Sequence, residues 1–280
     1  MPATDIDYCF SLAGEFIHMS RICNLFSGST GNSIFIGHCG DGILIDAGVS
    51  ARKIEQALRD IDSDISKIRA IFITHEHSDH VSGVRVLASR HNIPVYATRG
   101  TLEGMEQDGD LSSRVKSFEI PSGGVEVGDM LIKSFATPHD ARQSCGYCIE
   151  LTDGQKIAIA TDLGHISEEV RSAITGCGTV VLESNHDIMM LQNGPYPYEL
   201  KRRVMSDIGH LSNAVCADEL CRLVKSGTTR MILAHLSREN NYPALAYETS
   251  KANLSGSGMV ENIDYMLYVA PVFGGKSIVL

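Results

Sequence analysis

The segment Ile71-Phe72-Ile73-Thr74-His75-Glu76-His77-Ser78-Asp79-His80 constrains this chain more than any other. An apolar run of buried-strand length delivers three histidines and an aspartate within six residues. Such groups enter a protein interior only when partnered, because an unpaired buried polar or charged side chain costs several kcal/mol. A shared cation is the plausible reason to crowd them, since imidazole nitrogen and carboxylate oxygen are common ligands of divalent metals. His75 and His77, two residues apart, can point the same way from a turn, and Asp79 with His80 opens the helix expected from Val81. The arrangement suits two adjacent metals. A lone histidine reads as a surface or hydrogen-bonded core residue, but that reading fails for the group taken together.

Short apolar runs bounded by turn signals recur along the chain: Arg21 to Phe26, Ser33 to Gly37, Gly42 to Asp46, Ala70 to Thr74, Ile93 to Ala97, Met130 to Ala136, Tyr147 to Leu151, Lys156 to Thr161, Thr179 to Glu183 and Arg230 to Ala234. These read as buried strands. Ala51 to Arg59, Val81 to His91 and Ala214 to Val224 carry apolar residues three and four apart, so helices alternate with strands as in a layered α/β protein. Asp46, His75, His139, Asp162, Glu183 and His235 all fall at or just past the carboxyl end of a strand or in the turn beyond it. That rim is where α/β sheets place their ligand sites. No linker, low-complexity tract or internal repeat divides the chain, which predicts one domain over residues 21–280 after a short extension over 1–20.

The chain has 280 residues, enough for a deep core, and its 24 basic against 34 acidic residues give a net charge of -10. That balance argues against a protein that coats nucleic acid or an anionic membrane, so any phosphate-bearing partner must be gripped locally. No apolar run is long enough to predict a membrane-spanning helix. Met1 to Ser20 carries Asp5, Asp7 and Glu15 with no Lys or Arg, the reverse of a secretory signal's basic start, which argues against export. The eight cysteines are too sparse for a disulfide scaffold and read as reduced thiols of a cytoplasmic protein. Cys145-Gly146-Tyr147-Cys148 lacks a second pair at zinc-ribbon distance and reads as structural.

The H-x-H-x-D-H pattern, with Asp46, His139, Asp162 and His235 at other strand ends, resembles the metallo-β-lactamase superfamily of binuclear hydrolases from about residue 21 to 240. The resemblance implies a four-layer αββα fold, with two central mixed sheets flanked by helices. It assigns His75, His77 and His139 to one metal and Asp79, His80 and His235 to a second, with Asp162 bridging and Asp46 orienting from behind the ligands. Asp46 before Ala47-Gly48 reads alternatively as a plain turn aspartate. Two divalent transition-metal ions are thereby expected, and a ligand set without thiolate leaves zinc, manganese and iron open. A metal pair acidifies a bridging water and clamps charge on the attacked centre, which implies hydrolysis with Asp79 among the catalytic residues. No strand-borne G-x-G-x-x-G and no G-x-S-x-G suggests hydride transfer or a serine nucleophile.

Glu183 and His210 match the strand-end glutamate and the later histidine that assist phosphodiester cleavage in the transfer-RNA 3′-processing and β-CASP branches, and the resemblance makes them a proton-donor dyad. The loop Phe26 to Ser33, the Glu183 to Asp187 cluster, Tyr198 to His210 and His235 to Asn241 together are most similar to the bacterial YycJ (WalJ, VicX) family of DNA exonucleases. That implies a 5′-to-3′ exonuclease with duplex DNA ends as substrate. Ser27, Ser29 and Asn32 lie in a glycine-rich loop that suits a phosphate nest, though a tight turn explains it too. Asn185, His186, Ser237 and Asn240 are further substrate candidates. Arg202 joins them from Lys201-Arg202-Arg203, the densest basic cluster, whose plainer reading is a solvated helix face. Met189-Met190-Leu191 reads as core packing, and His18, His38, His91 and His165 as surface or core histidines. The rivals are a small-molecule phosphodiesterase or lactonase, favoured by the acidic charge, a transfer-RNA 3′-processing endonuclease, and a metal-binding sensor, which would need a degraded ligand set.

Overall fold

The computed structural model describes residues 20–280. The extension expected before Arg21 therefore lies outside the described residues, apart from Ser20, and so do His18 and nearly all of the stretch weighed against export. The strands of the described residues form two seven-stranded sheets. The first contains β1 (Arg21–Phe26), β2 (Ser33–His38), β3 (Asp41–Ile45), β4 (Ile68–Phe72), β5 (Val95–Ala97) and β6 (Ser117–Glu119) in that order. The second contains β7 (Val125–Val127), β8 (Met130–Ala136), β9 (Cys145–Leu151), β10 (Lys156–Ala160), β11 (Thr179–Glu183), β12 (Arg230–Ala234) and β13 (Met266–Val269). A final β14 (Ile278–Val279) returns to pair antiparallel with β1. Both sheets are mixed, an antiparallel meander leading into a parallel half: β3 to β6 in the first, β10 to β13 in the second.

Helices α1 (Ala51–Asp60), α2 (Ser78–Val81), α3 (Val84–His91) and α4 (Arg99–Asp108) belong to the first half of the chain. The second half carries α5 (Glu168–Ile174), α6 (Ile188–Asn193), α7 (Tyr198–Val204), α8 (Asn213–Lys225) and α9 (Pro243–Gly256). Ile43, Ile45 and Phe72 pack with Ile149, Ile159 and Val181 between the sheets, while Leu44 and Ile71 turn outward to Ile54, Leu58 and Leu87 on α1 and α3. Val180 and Leu182 turn outward likewise to Val170, Leu220 and Leu254 on α5, α8 and α9. Strands buried on both faces need apolar residues at every position, which is why they read as unbroken runs rather than alternations. The result is the expected helix–sheet–sheet–helix stack.

Local differences have local causes. The helix expected over Val81 to His91 is two, because Gly83 donates its N–H to the Ala47 carbonyl at the break between α2 and α3. Cys145 and Cys148 lie three apart on β9 and so face opposite sides, toward the inter-sheet core and the helix layer, and cannot chelate one ion. All cysteines among the described residues are free thiols. Of the stripe read as core packing, only Leu191 is buried, and Met189 is 62 % exposed at the first turn of α6. His38 bonds Ser20 and Thr152, His91 pairs with Glu55, and His165 bonds the Asp207 carbonyl.

The turn after β3 is wedged against the loop after β4. Ala47 and Gly48 donate N–H groups to the carbonyls of His80 and Asn32, and a Cβ on Gly48 would stand 1.7 Å from the Asp79 carbonyl oxygen. Gly48→Ala is therefore expected to lower stability by roughly 1–3 kcal/mol through overpacking. Gly256→Ala, at a helical position with open space around it, should be neutral or stabilising by up to about 1 kcal/mol. Denaturant melts of the two variants measure the contrast, and equal effects would refute the wedge.

Candidate active site

Three strands deliver their polar residue through the same unusual backbone. Asp46 after β3, Asp162 after β10 and His235 after β12 adopt left-handed conformations with φ of 63°, 58° and 56°. Such conformations are uncommon for residues other than glycine and persist where the surroundings enforce them. Here the surroundings are visible. The Asp46 N–H donates to the Phe72 carbonyl and the His235 N–H to Ser27 Oγ, each at 2.8 Å, fixing two of the three turns.

Asp46 is buried and accepts from the Thr74 N–H (2.8 Å), the Thr74 hydroxyl (2.9 Å) and His80 Nδ1 (2.7 Å). Holding the Nδ1 proton turns His80 Nε2 inward, toward Asp79 and Asp162. Burial works against the charged His80 imidazole, but the carboxylates of Asp46 and Asp162 outweigh it and hold its pKa at about 9. His75 Nδ1 reaches the same Thr74 hydroxyl at 3.0 Å, and His139 Nδ1 donates to the Gly209 carbonyl at 3.1 Å. Desolvation, reinforced by the neighbouring imidazoles, pushes the His75 pKa well below its usual value, so its lone pair is available.

The donor atoms of His75, His77 and His139 lie within 4.8 Å of one another, as do those of Asp79, His80 and His235, and those of His75, His80 and Asp162. Asp162 stands between the groups, its oxygens 3.5 Å from His80 Nε2, 3.2 Å from His235 Nδ1 and 4.0 Å from His139 Nε2. His75 Nε2, His235 Nε2 and Asp162 Oδ2 are buried without a hydrogen-bond partner among the described residues. Leaving such atoms unpaired is costly, and imidazole nitrogens and carboxylate oxygens are atoms that divalent cations satisfy. The residues present therefore fit a metal centre.

A second buried carboxylate works from the other sheet. Glu183, the last residue of β11, is fully buried, and its Oε1 accepts from His235 Nδ1 at 2.7 Å and from His210 Nδ1 at 2.9 Å. Its Oε2 accepts from the N–H groups of Leu163 (3.1 Å) and Leu211 (3.0 Å). Burial favours the neutral acid, but His210 and the hydrogen bonds from both imidazoles prevail and hold the Glu183 pKa below the usual range. In return Glu183 overcomes the desolvation of His210 and raises the pKa of that imidazole.

These groups open into a cavity of about 220 Å³ that also exposes Ser29, Asn185, Ser237 and Asn240, all singled out in the sequence. Others do not reach it. Ser27 holds the His235 backbone, and Asn32 touches His80 Nε2 at 3.0 Å and Asp79. In the glycine-rich loop the N–H groups of Gly28, Gly31 and Asn32 are donated to Asn32 Oδ1, the Gly28 carbonyl and the Asp79 carbonyl, which leaves those of Ser29 and Thr30 without a partner among the described residues. His186 is buried away from the cavity, and desolvation lowers its pKa to about 4. Arg202 pairs with Glu199 and lies over the Tyr198 ring, whereas its neighbour Arg203 lines the cavity, tied to Asp140. Tyr196, Leu200 and Val204 complete this wall, and no periodic signal marked them.

The sequence profile of the beta-lactamase superfamily domain matches residues 42–236. The metallo-beta-lactamase fold protein YhfI from Bacillus subtilis superposes with a TM-score of 0.69 at 14 % identity, covering 93 % of this chain and 99 % of that one. Fold and sequence family thus define a metal-dependent hydrolase. Exodeoxyribonuclease YycJ of Bacillus anthracis is 38 % identical over 224 residues, 79 % of this chain and 84 % of its own. Exodeoxyribonuclease WalJ of Streptococcus pneumoniae is 36 % identical over 248 residues, 87 % of this chain and 91 % of its own. The chain belongs to the beta-lactamase superfamily and, within it, to the family of YycJ and WalJ.

Without the Asp46 carboxylate, His80 is free to turn and Thr74 loses its anchor. Asp46→Ala is expected to weaken divalent-metal affinity roughly 10–100-fold. Competition with a chromophoric chelator measures this, with circular dichroism confirming the fold, and unchanged affinity would remove the orienting role.

Proposed function

We propose that the chain is a phosphodiesterase that removes nucleotides from DNA ends with the help of two divalent transition-metal ions. The observation that carries this reading is the Glu183 carboxylate shared between His235 and His210, which couples the metal-ligand cluster to a proton donor at the same cavity. The exodeoxyribonuclease names of the YycJ and WalJ relatives support DNA as the substrate. His75, His77 and His139 would hold one ion and Asp79, His80 and His235 the other, with Asp162 within reach of both. When bound, the ions supply Lewis acidity, lowering the pKa of the attacking water and neutralising charge on the phosphate.

The remaining chemistry belongs to the protein. His210 donates its Nδ1 proton to Glu183, which leaves Nε2 to hold a second proton for the departing sugar oxygen. The ionised Glu183 stabilises that doubly protonated imidazole and fixes the plane of its ring. Ser29, Asn185, Ser237 and Arg203 offer hydrogen bonds to phosphate and sugar. The acidic net charge favours a rival, a phosphodiesterase for a small diester.

A deoxyribose alkoxide leaves poorly without a proton, whereas p-nitrophenolate needs none. His210→Ala is expected to lose roughly 10²–10⁴-fold on end-labelled DNA, while hydrolysis of bis-p-nitrophenyl phosphate changes far less. A parallel fall on both substrates at constant metal content would rule out the proton-donor role. Turnover of a cyclic nucleotide with no action on DNA would instead establish the small-diester reading.

A further inference from the structure

Apart from Arg203, one wall of the cavity is unused by this chemistry. Tyr196 lies between Pro195 and Pro197 at the entrance to α7 and, with Leu200 and Arg203, lines the same cavity as Asp79, Asp162 and His210. Proline fixes its own φ and confines the residue before it to extended conformations, so the Tyr196 backbone is held with little freedom. The wall is anchored as well. Lys201 donates to the Gln192 carbonyl at 2.8 Å, Arg203 pairs with Asp140, and the His210 N–H bonds the Val204 carbonyl at 2.9 Å. The preceding Gly194 presses on Asn240, whose Oδ1 a Cβ there would approach to 2.7 Å.

Two further features define what this wall fits. Tyr196 is half-buried, and its hydroxyl makes no hydrogen bond among the described residues, so its ring is a cavity-lining contact surface rather than a structural tether. Asn240, only 1 % exposed, keeps its Oδ1 acceptor unpaired and also lines the cavity. A restrained aromatic residue in the wall, with an unpaired acceptor on Asn240 packed against Gly194, suits a flat, apolar-faced group with N–H donors on its edge. Every nucleobase carries such an N–H on its pairing edge, and aromatic stacking serves all bases alike. At about 220 Å³ the cavity is smaller than the roughly 300–1,000 Å³ that encloses a whole small ligand, which suits part of a nucleotide better than a base pair.

We propose that Tyr196 is the stacking platform of a nucleobase subsite that takes the terminal base of a DNA strand once that base has left its pair. The inference rests on the nuclease reading and deepens it by naming the substrate as an unpaired strand end. Unpairing costs energy that a frayed or mismatched end has already lost. Unpaired ends should therefore show a lower KM than blunt G·C ends.

The test uses the metal-loaded protein and DNA with 2-aminopurine at its end beside a non-hydrolysable phosphonate linkage. The protein and its Tyr196→Phe variant are expected to quench the fluorescence by stacking. Tyr196→Ala and Tyr196→Leu, the latter keeping apolar bulk without a π-face, should lose that quenching. On cleavable unpaired ends both should raise KM roughly 5- to 100-fold at nearly constant kcat and melting temperature. Full quenching and unchanged KM in both variants, with DNA still cleaved, would overturn the subsite and leave the nuclease reading standing. Failure of the unaltered protein to cleave DNA would overturn both.

Discussion

Each sheet drives one carboxylate into a place where water cannot reach it, and the rest of the site is arranged around those two groups. Asp46 at the end of β3 and Glu183 at the end of β11 are 3 % and 0 % exposed. A buried carboxylate survives only with several hydrogen bonds, and each takes one of them from a histidine Nδ1: Asp46 from His80, Glu183 from His235. Both imidazoles are thereby turned with Nε2 toward the inter-sheet rim, where a bound cation would displace the second proton. His210 is the third imidazole of this arrangement, bound to the same Glu183 oxygen but facing the cavity. Replacing Glu183 would therefore disturb His235 and His210 together.

The geometry needs backbone strain and close contact. Left-handed turns at Asp46, Asp162 and His235 cost about 1–3 kcal/mol each. They are retained by bonds between loops far apart in sequence, such as His235 N–H to Ser27 Oγ and Asn32 N–H to the Asp79 carbonyl. Ser27 and Asn32 thus act on the centre through its backbone and ligands. The fold holds the site, and the site's own hydrogen bonds close the loops of the fold.

The cluster from His75 to His80 was legible because four metal-type ligands after an apolar strand have few other uses, and the core strands because burial on both faces leaves long apolar runs. Edge strands β6, β7 and β14 are two or three residues long and carry no such run. Helix α9 buries Ala246, Ser250 and Leu254, a face mostly too small and polar to announce itself. Arg202 was favoured over Arg203 because neighbours on a helix differ by about 100° in direction, and nothing in the sequence sets the phase of α7. The glycine-rich loop has nest composition, but three of its N–H groups are consumed by partners invisible to composition. For Tyr196 a signal existed: an aromatic residue bracketed by prolines is a rigid presentation, whatever it presents.

Anomalous diffraction from crystals of the protein, collected on either side of the zinc, manganese and iron edges, tests the arrangement most directly. Two peaks are expected at the inter-sheet rim, one bounded by His75, His77 and His139 and the other by Asp79, His80 and His235, with Asp162 between them. A single peak there, or none in protein that still hydrolyses DNA, would contradict the proposed two-ion centre.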